Sequence, residues 1–242
     1  MISDLWTFFQ ETPDEWALVL RHLQLSFVPV AAATALALPL GLFIGHARRF
    51  EFVTVTLANL GRAVPSFAIL SLALIPVIRL GIMDFGFWAT FVALFFLALP
   101  PIVVNTYTGV KNVDPDLIEG ATGQGLSGTQ ILARVEIPLA APLIIGGLRT
   151  AAVQSVATAT LGALVAAGGL GDPIVFGFRA SDDPSLIGGA FLVAVVAIAT
   201  EIVFAIAARL LAPRGRSAPR PDQPVVEPAA MRRPPAGPST VG

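Results

Sequence analysis

The sequence has no cysteine and only two histidines, and each scarcity removes a class of function. Without cysteine the chain forms no disulfide, no cysteine-ligated zinc or iron–sulfur site, and no thiol nucleophile. His22 and His46 lie far apart and have no partner at metal-ligand spacing, so we predict no metal site. The net charge of −1 also argues against a nucleic-acid-binding protein, which needs a basic surface.

Charged residues are scarce as well, at 13% of 242 residues against 55% hydrophobic. Soluble domains carry about 25% charged residues. Several apolar runs exceed the roughly 20 residues that a helix needs to cross a hydrocarbon core. A membrane β-barrel would instead show alternating segments of about ten residues. The composition therefore predicts an all-α integral membrane protein.

Five apolar segments are predicted to be transmembrane helices, over residues 23–45, 53–78, 87–108, 138–166 and 186–211. The second is the least regular, because Asn59, Arg62 and Ser66 lie in its first half. Residues 1–20 are amphipathic and aromatic, which is typical of an interfacial segment at a span entrance, the alternative being a frayed terminus.

Cations are distributed unevenly between the two sides of these spans, and this predicts the orientation. One side holds Arg48, Arg49, Lys111, Arg134, Arg209, Arg214 and Arg216. The other side holds Arg21, Arg79 and Arg179, offset by Asp84, Asp172, Asp182 and Asp183. The cation-rich side faces the cytoplasm in such proteins, so we predict an outside N-terminus and a cytoplasmic C-terminus.

The C-terminal segment, residues 213–242, contains eight prolines in thirty residues and few large apolar side chains. Such a segment cannot bury enough surface to fold. We therefore predict a transmembrane domain over residues 1–212 and a disordered, proline-rich cytoplasmic tail over residues 213–242. A dispensable tail and a regulatory tail both remain open.

Residues 114–136, between the third and fourth predicted spans, are polar and glycine-containing, and we name them the polar loop. Asp114 followed by Pro115 predicts a helix start, because aspartate caps the first turn and proline fits it. Gly123 and Gly125 predict the end of that helix, since glycine adopts left-handed geometry at little cost.

A second short helix is predicted from Ser127 to about Glu136, because Ser127 and Gln130 have the spacing of a capping box. Leu126 and Ile131 occupy the positions of a hydrophobic staple for that box. Two short helices bent at glycine would form a compact projection that a soluble partner can contact. The alternative is an amphipathic piece that lies on the membrane surface.

The polar loop resembles the cytoplasmic signature of bacterial ABC importer permeases: Glu-Ala-Ala, three residues, Gly, nine residues, then Ile-x-Leu-Pro. The same spacings hold here, for Glu119-Gly120-Ala121, Gly125 and Val135-Glu136-Ile137-Pro138. Gly120, Val135 and Ile137 depart from the signature. The resemblance implies contact with a cytoplasmic ATPase through Glu119, Gly120, Ala121, Gly125, Leu126, Ile131 and Pro138.

Three further segments resemble the permeases of osmoprotectant importers, which carry glycine betaine, choline, carnitine or proline betaine. These segments are residues 62–66, 100–109 and 168–171, and the resemblance covers about residues 20–212. It implies an ATP-driven importer in the bacterial cell membrane, with ATPase subunits, an extracytoplasmic substrate-binding protein and a second permease chain. This chain lacks the phosphate-binding loop Gly-x-x-x-x-Gly-Lys-Ser/Thr, so ATP is expected to be bound by the partner ATPase.

Polar residues inside the spans are candidates for a translocation pathway, the alternative being hydrogen bonds between helices. The candidates are Ser66, Asn105, Thr150, Gln154, Ser155, Thr158 and Glu201. An ionised Glu201 in a membrane is costly unless it faces water or a partner, and Arg149 is one candidate partner. A structural ion pair and a role in transport both remain open for Glu201.

Other functions remain as alternatives to an osmoprotectant permease. The same machine could carry another small solute, such as an amino acid. An ion-coupled secondary carrier would need inverted repeats and paired intramembrane charges. A membrane enzyme would need a His/Asp/Glu constellation, which the spans lack.

Overall fold

The computed structural model describes residues 2–11, 14–48, 56 and 65–211, and over these residues it contains helices and no strand. Nine α-helices are described. They are α1 (Ile2–Glu11), α2 (Glu15–Ala47), α3 (Ser66–Arg79), α4 (Phe85–Lys111), α5 (Pro115–Gly123), α6 (Gly128–Ile131), α7 (Ile137–Thr158), α8 (Gly171–Ala180) and α9 (Asp183–Leu211). A π-helical turn, Leu132–Glu136, joins α6 to α7, and a 3₁₀ turn, Ala159–Val165, follows α7. The predicted tail, 213–242, lies outside the described residues.

Within the described part of the chain, four helices are long and apolar enough to cross a membrane: Glu15–Ala47, Phe85–Lys111, Gly128–Val165 and Asp183–Leu211. They correspond to the first, third, fourth and fifth predicted spans. The second predicted span is described mainly from residue 65 onward, where α3 covers 14 residues. The prediction of an all-α membrane protein is therefore confirmed, while the first half of that span lies largely outside the described residues.

Helices α2, α4 and α7 pack closely because small residues line their contacts. A Cβ added at Gly41 or Gly45 of α2 would lie 2.7 Å from the Cβ of Thr106 or Val110 of α4. A Cβ added at Gly147 of α7 would lie 2.7 Å from a carbonyl oxygen of α4. Small residues allow helix backbones to approach in this way in membrane proteins.

The N-terminal region differs from its prediction in extent. Helix α2 begins at Glu15, ahead of residue 23, where the first span was predicted to begin. Helix α1 packs against α9, because Phe8 is buried and its ring leaves no room for a Cβ at Gly188. Trp6 and Trp16 are exposed, and the interfacial position of this segment stays a prediction.

The predicted second helix of the polar loop begins where expected, with Ser127 as its N-cap, but the prediction that it ends before the fourth span is wrong. The segment Gly128–Val165 forms one continuous helical element of 38 residues, which includes the π-helical turn. In that turn the Ile137 N–H donates to the Leu132 carbonyl. Pro138 gives the physical reason, because its ring would clash with the carbonyl four residues earlier and it has no N–H for an α-helical bond. One π-helical turn widens the helix there without ending it.

Candidate functional site

The first half of the polar loop is a short helix with well-formed ends. An Asp114 side-chain oxygen accepts a hydrogen bond from the Asp116 N–H at 3.0 Å, as expected of an N-cap. At the other end, the Leu126 N–H donates to the Ala121 carbonyl and the Gly125 N–H donates to the Thr122 carbonyl. This pair of bonds is a Schellman motif, and it needs the positive φ of +82° at Gly125. The predicted bounds of α5 are confirmed.

The residues implied in ATPase contact divide into an exposed group and a packed group. Glu119, Gly120, Gly125 and Pro138 are exposed, whereas Ala121 and Ile131 are buried and Leu126 is partly buried. An added Cβ at Gly120 or Gly125 would meet no atom within 4 Å. The exposed group is therefore free for contact, and the packed group fixes the shape of the polar loop.

The end of α2 holds the polar loop close to both of its termini. His46 Nδ1 lies 2.6 Å from Glu136 Oε2, and the Glu136 side chain is only 2% exposed. Arg48 donates a hydrogen bond to the Val113 carbonyl at 3.2 Å. A Cβ at Gly128 would lie 3.4 Å from His46 Nε2. The orientation of the polar loop is thus fixed relative to α2.

Sequence analysis missed the His46–Glu136 pair. The two residues are 90 positions apart, and no local pattern connects residues at that separation. The sequence offered one local signal, because Glu136 lies between the apolar residues Val135 and Ile137. Ser127 behaves as predicted in one respect, because its N–H donates to the Gln130 side chain at 2.9 Å.

A second feature lies between α4, α7 and α9. An open cavity of about 520 Å³ is lined by Asn105, Gly146, Arg149, Thr150, Val153, Gln154 and Glu201. Four of the seven candidate pathway residues therefore meet in one place. Thr150 and Gln154 lie four residues apart and share one face of α7. The volume falls within the roughly 300–1,000 Å³ range of small-molecule sites.

Arg149 and Glu201 form an ion pair in this cavity. Arg149 Nε donates to one Glu201 oxygen at 2.7 Å, and an Arg149 terminal nitrogen contacts the other oxygen. The two side chains are 42% and 41% exposed. Arg149, which was one candidate partner of Glu201, is therefore its partner in the structure. Because each charge neutralises the other, the pair can exist between two predicted spans at acceptable cost.

Two other polar residues of the cavity bond to their own helices. The Asn105 amide donates to the Pro101 carbonyl at 2.8 Å, and the Thr150 hydroxyl donates to the Gly146 carbonyl at 2.9 Å. These bonds do not connect different helices, so they differ from the interhelical bonding that was the alternative for this stripe. Asn105 and Thr150 therefore make the cavity surface polar without hydrogen-bonding one helix to another.

The remaining candidate pathway residues do not line this cavity. Ser155 is fully buried, and its hydroxyl has no hydrogen-bond partner. Thr158 is partly buried at the end of α7, and Ser66 begins α3. Conversely, Arg149, Gly146 and Val153 line the cavity although sequence analysis did not select them as pathway residues.

A second ion pair lies at the predicted outer side. An Arg21 terminal nitrogen donates to both Asp84 oxygens, at 2.7 and 2.6 Å, and Arg21 Nε donates to the Ala167 carbonyl. Partial burial raises the pKa of the nearby Asp172 carboxyl above its ordinary value, and the positive charge of Arg21 opposes this rise. The pair ties the start of α2 to the residues that precede α4 and α8.

Comparison with known proteins agrees with these features. Residues 37–217 match the family model of the binding-protein-dependent transport system inner membrane component. The glycine betaine/carnitine/choline transport system permease protein OpuCB of Bacillus subtilis is 35% identical over 81% of this chain and 87% of that protein. The osmoprotectant import permease protein OsmY of Salmonella typhimurium is 35% identical over 80% of each chain.

The fold also has a solved counterpart. The inward-facing MetNI methionine ABC transporter contains a chain that superposes with a TM-score of 0.70, at 22% identity, over 82% of this chain and 98% of that chain. The family match and the identities to curated permeases extend over most of the chain. This protein therefore belongs to the family of binding-protein-dependent transport system inner membrane components.

Proposed function

We propose that this chain is the translocation subunit of an ATP-driven importer of osmoprotectants such as glycine betaine, choline or carnitine. One observation carries the proposal: the signature-like residues Glu119 and Gly120 lie exposed on a capped helix that the rest of the protein holds in place. The cargo class is supported by relatives that are named for these solutes and are 35% identical over most of the chain.

The proposed topology has five transmembrane helices, the second of which includes α3. The polar loop then lies in the cytoplasm between the third and fourth spans, the N-terminus lies outside, and the proline-rich tail lies in the cytoplasm. The excess of arginine and lysine on the side of the polar loop supports this orientation. The domain division remains at residues 212 and 213.

The proposed partners are cytoplasmic ATPase subunits, an extracytoplasmic substrate-binding protein and a second permease chain. ATP would be bound and hydrolysed by the ATPase, and this chain would need no cofactor of its own. Movement of the ATPase would displace the polar loop. Because α6, the π-helical turn and α7 form one element, that displacement would reach the cavity directly.

The translocation pathway is proposed to pass through the cavity, with Asn105, Thr150, Gln154 and Glu201 on its surface. Ser66, Ser155 and Thr158 would contribute only in another conformation or in the assembled dimer. Gly120, Ala121, Gly125, Leu126, Ile131, Pro138 and Glu119 are the proposed ATPase-coupling residues.

Substitution at Gly120 tests the coupling proposal. Gly120→Trp adds a large side chain at a position where an added Cβ meets open space, so the permease itself should fold normally. We expect Gly120→Trp to lose co-purification with the ATPase and solute uptake, because the indole ring would occupy the contact surface. The measurement is pull-down of the partner ATPase subunit, together with uptake of radiolabelled glycine betaine.

Gly120→Ala is the matched control. It restores the small residue of the related signature and favours the helix by up to about 1 kcal/mol. We expect it to bind the ATPase at least as well as the wild type. Equal ATPase binding by Gly120→Trp and Gly120→Ala would contradict the proposed contact.

A further inference from the structure

The geometry points to a cargo-binding subsite made by Arg149 and Glu201. We propose that the two side chains neutralise each other while the cavity is empty and separate to bind a zwitterionic solute. Arg149 would then hold the carboxylate of the solute, and Glu201 would face its quaternary ammonium group. This inference rests on the proposed function, because glycine betaine and carnitine are zwitterions of this kind.

The position of the two charged side chains supports the subsite. Arg149 on α7 and Glu201 on α9 both line the cavity, and both are about two-fifths exposed. A pair that served only to join two helices would be expected to lie between them, away from the cavity. Here both charged groups can be reached from the open side of the cavity. The exposed amide of Gln154 and the hydroxyl of Thr150 lie beside them.

The second support is charge balance. An unpaired charge in a membrane interior is costly, so an empty subsite made from one charge alone would be unfavourable. The Arg149–Glu201 pair is neutral when it is closed, and it remains neutral overall after a zwitterion is inserted. Each charged group then exchanges one ionic partner for another. Neither the empty site nor the filled site therefore contains an uncompensated charge.

The third support is chemical match. The arginine side chain presents N–H groups in a planar fork that suits a carboxylate, and it already binds the Glu201 carboxylate with two of them. A quaternary ammonium group has no N–H, so it needs only a nearby negative charge, which Glu201 provides. The exchange therefore replaces one carboxylate with another at Arg149.

The subsite predicts a difference between zwitterionic and purely cationic cargo. Choline carries the same quaternary ammonium group but has a hydroxyl where glycine betaine has a carboxylate. Inserting choline between the two side chains would leave the Arg149 charge without a partner. The subsite should therefore favour glycine betaine and carnitine over choline, and this preference should depend on Arg149.

The test uses the full chain, co-expressed with its partner ATPase and binding protein, in cells that lack other osmoprotectant importers. Initial uptake rates of glycine betaine and choline are normalised to the amount of permease in the membrane. We expect Arg149→Gln to lower the betaine-to-choline rate ratio about tenfold or more, because the charged hydrogen bonds to the carboxylate are lost. Glu201→Gln should lower uptake of both solutes.

Two double variants separate binding from structure. Arg149→Gln/Glu201→Gln removes both charges and leaves neither unpaired, so a purely structural pair should tolerate it. We expect this variant to reach the membrane in normal amount and to lose glycine betaine uptake. Arg21→Gln/Asp84→Asn removes the outer ion pair, which lies away from the cavity, and should leave the rate ratio unchanged.

Normal glycine betaine uptake by Arg149→Gln/Glu201→Gln, or an unchanged ratio in Arg149→Gln, would overturn the subsite while leaving the importer proposal intact. If the wild-type system takes up neither glycine betaine nor choline, the proposed cargo class is overturned, and the subsite is overturned with it. If the wild type carries glycine betaine but not choline, the test is glycine betaine uptake by the two double variants. The subsite predicts loss of uptake in Arg149→Gln/Glu201→Gln and normal uptake in Arg21→Gln/Asp84→Asn.

Discussion

Gly123 and Gly125 of the polar loop lie only two positions apart, yet only Gly125 has a backbone conformation that favours glycine. Gly125 has a φ of +82°, which side chains other than glycine rarely adopt, and it completes the Schellman motif at the end of α5. Gly123 belongs to the helix itself, and an added Cβ there would meet open space. Composition alone does not distinguish the two residues, whereas the backbone does.

We expect Gly125→Ala to lower the free energy of unfolding by about 1–2 kcal/mol, because an L side chain in left-handed geometry is strained by that amount. Gly123→Ala should be neutral or slightly stabilising, since alanine favours a helix. The measurement is reversible unfolding of the purified full chain in detergent. Equal stability of the two variants would show that the turn at Gly125 does not need its left-handed conformation.

The sequence predicted the ends of α5 from individual residues, and it offered Arg149 as one candidate partner of Glu201. It did not predict the His46–Glu136 pair, because contacts between distant segments leave no local pattern. Sequence analysis also grouped Ser155 with Thr150 and Gln154, although Ser155 is buried and turns away from the cavity. Thr158 follows Gln154 by four residues and yet does not line the cavity, because this spacing identifies one face of a helix whereas packing decides what that face contacts.

Among the helices, the join between the polar loop and α7 is the main departure from the sequence prediction. Proline and a capping box favoured two separate helices, but the chain keeps one element and widens it over Leu132–Glu136. The energetic preference for continuing a helix outweighs a single missing hydrogen bond, and this balance is not visible in residue types. The span that follows was predicted over 138–166, and α7 with its 3₁₀ turn covers residues 137–165, so these bounds agree to within one residue.

We expect Pro138→Ala to convert the π-helical turn to α-helix, since the proline penalty of up to about 3 kcal/mol disappears. The one-residue change in register would rotate the polar loop by about 100° relative to α7. The contact between positions 46 and 136 should then be lost, and uptake should fall although the protein still inserts. Disulfide formation between cysteines placed at His46 and Glu136 measures the contact.

Pro142→Ala is the control for this prediction, because Pro142 lies in the same helix beyond the π-helical turn. It should leave the disulfide yield at positions 46 and 136 unchanged. A high yield in Pro138→Ala would mean that a cause other than proline maintains the π-helical turn.

For the whole molecule, the absence of cysteine gives a direct test of sidedness. A single cysteine at Gly123 lies on the exposed polar loop, and one at Arg179 lies on the exposed end of α8. We expect a membrane-impermeant maleimide to label position 179 in right-side-out vesicles and position 123 only in inside-out vesicles. The reverse pattern would contradict the proposed orientation.

The long element that starts at Gly128 connects the polar loop to the cavity without a break in the helix. Glu136, held by His46, and Arg149, paired with Glu201, lie roughly 20 Å apart along its axis. A tilt of about 5° around Glu136 would carry Arg149 sideways by about 2 Å, given the rise of a helix. This displacement is comparable to the 2.7 Å bond between Arg149 and Glu201, so under the proposed function a small tilt at the polar loop would be enough to separate the two charges.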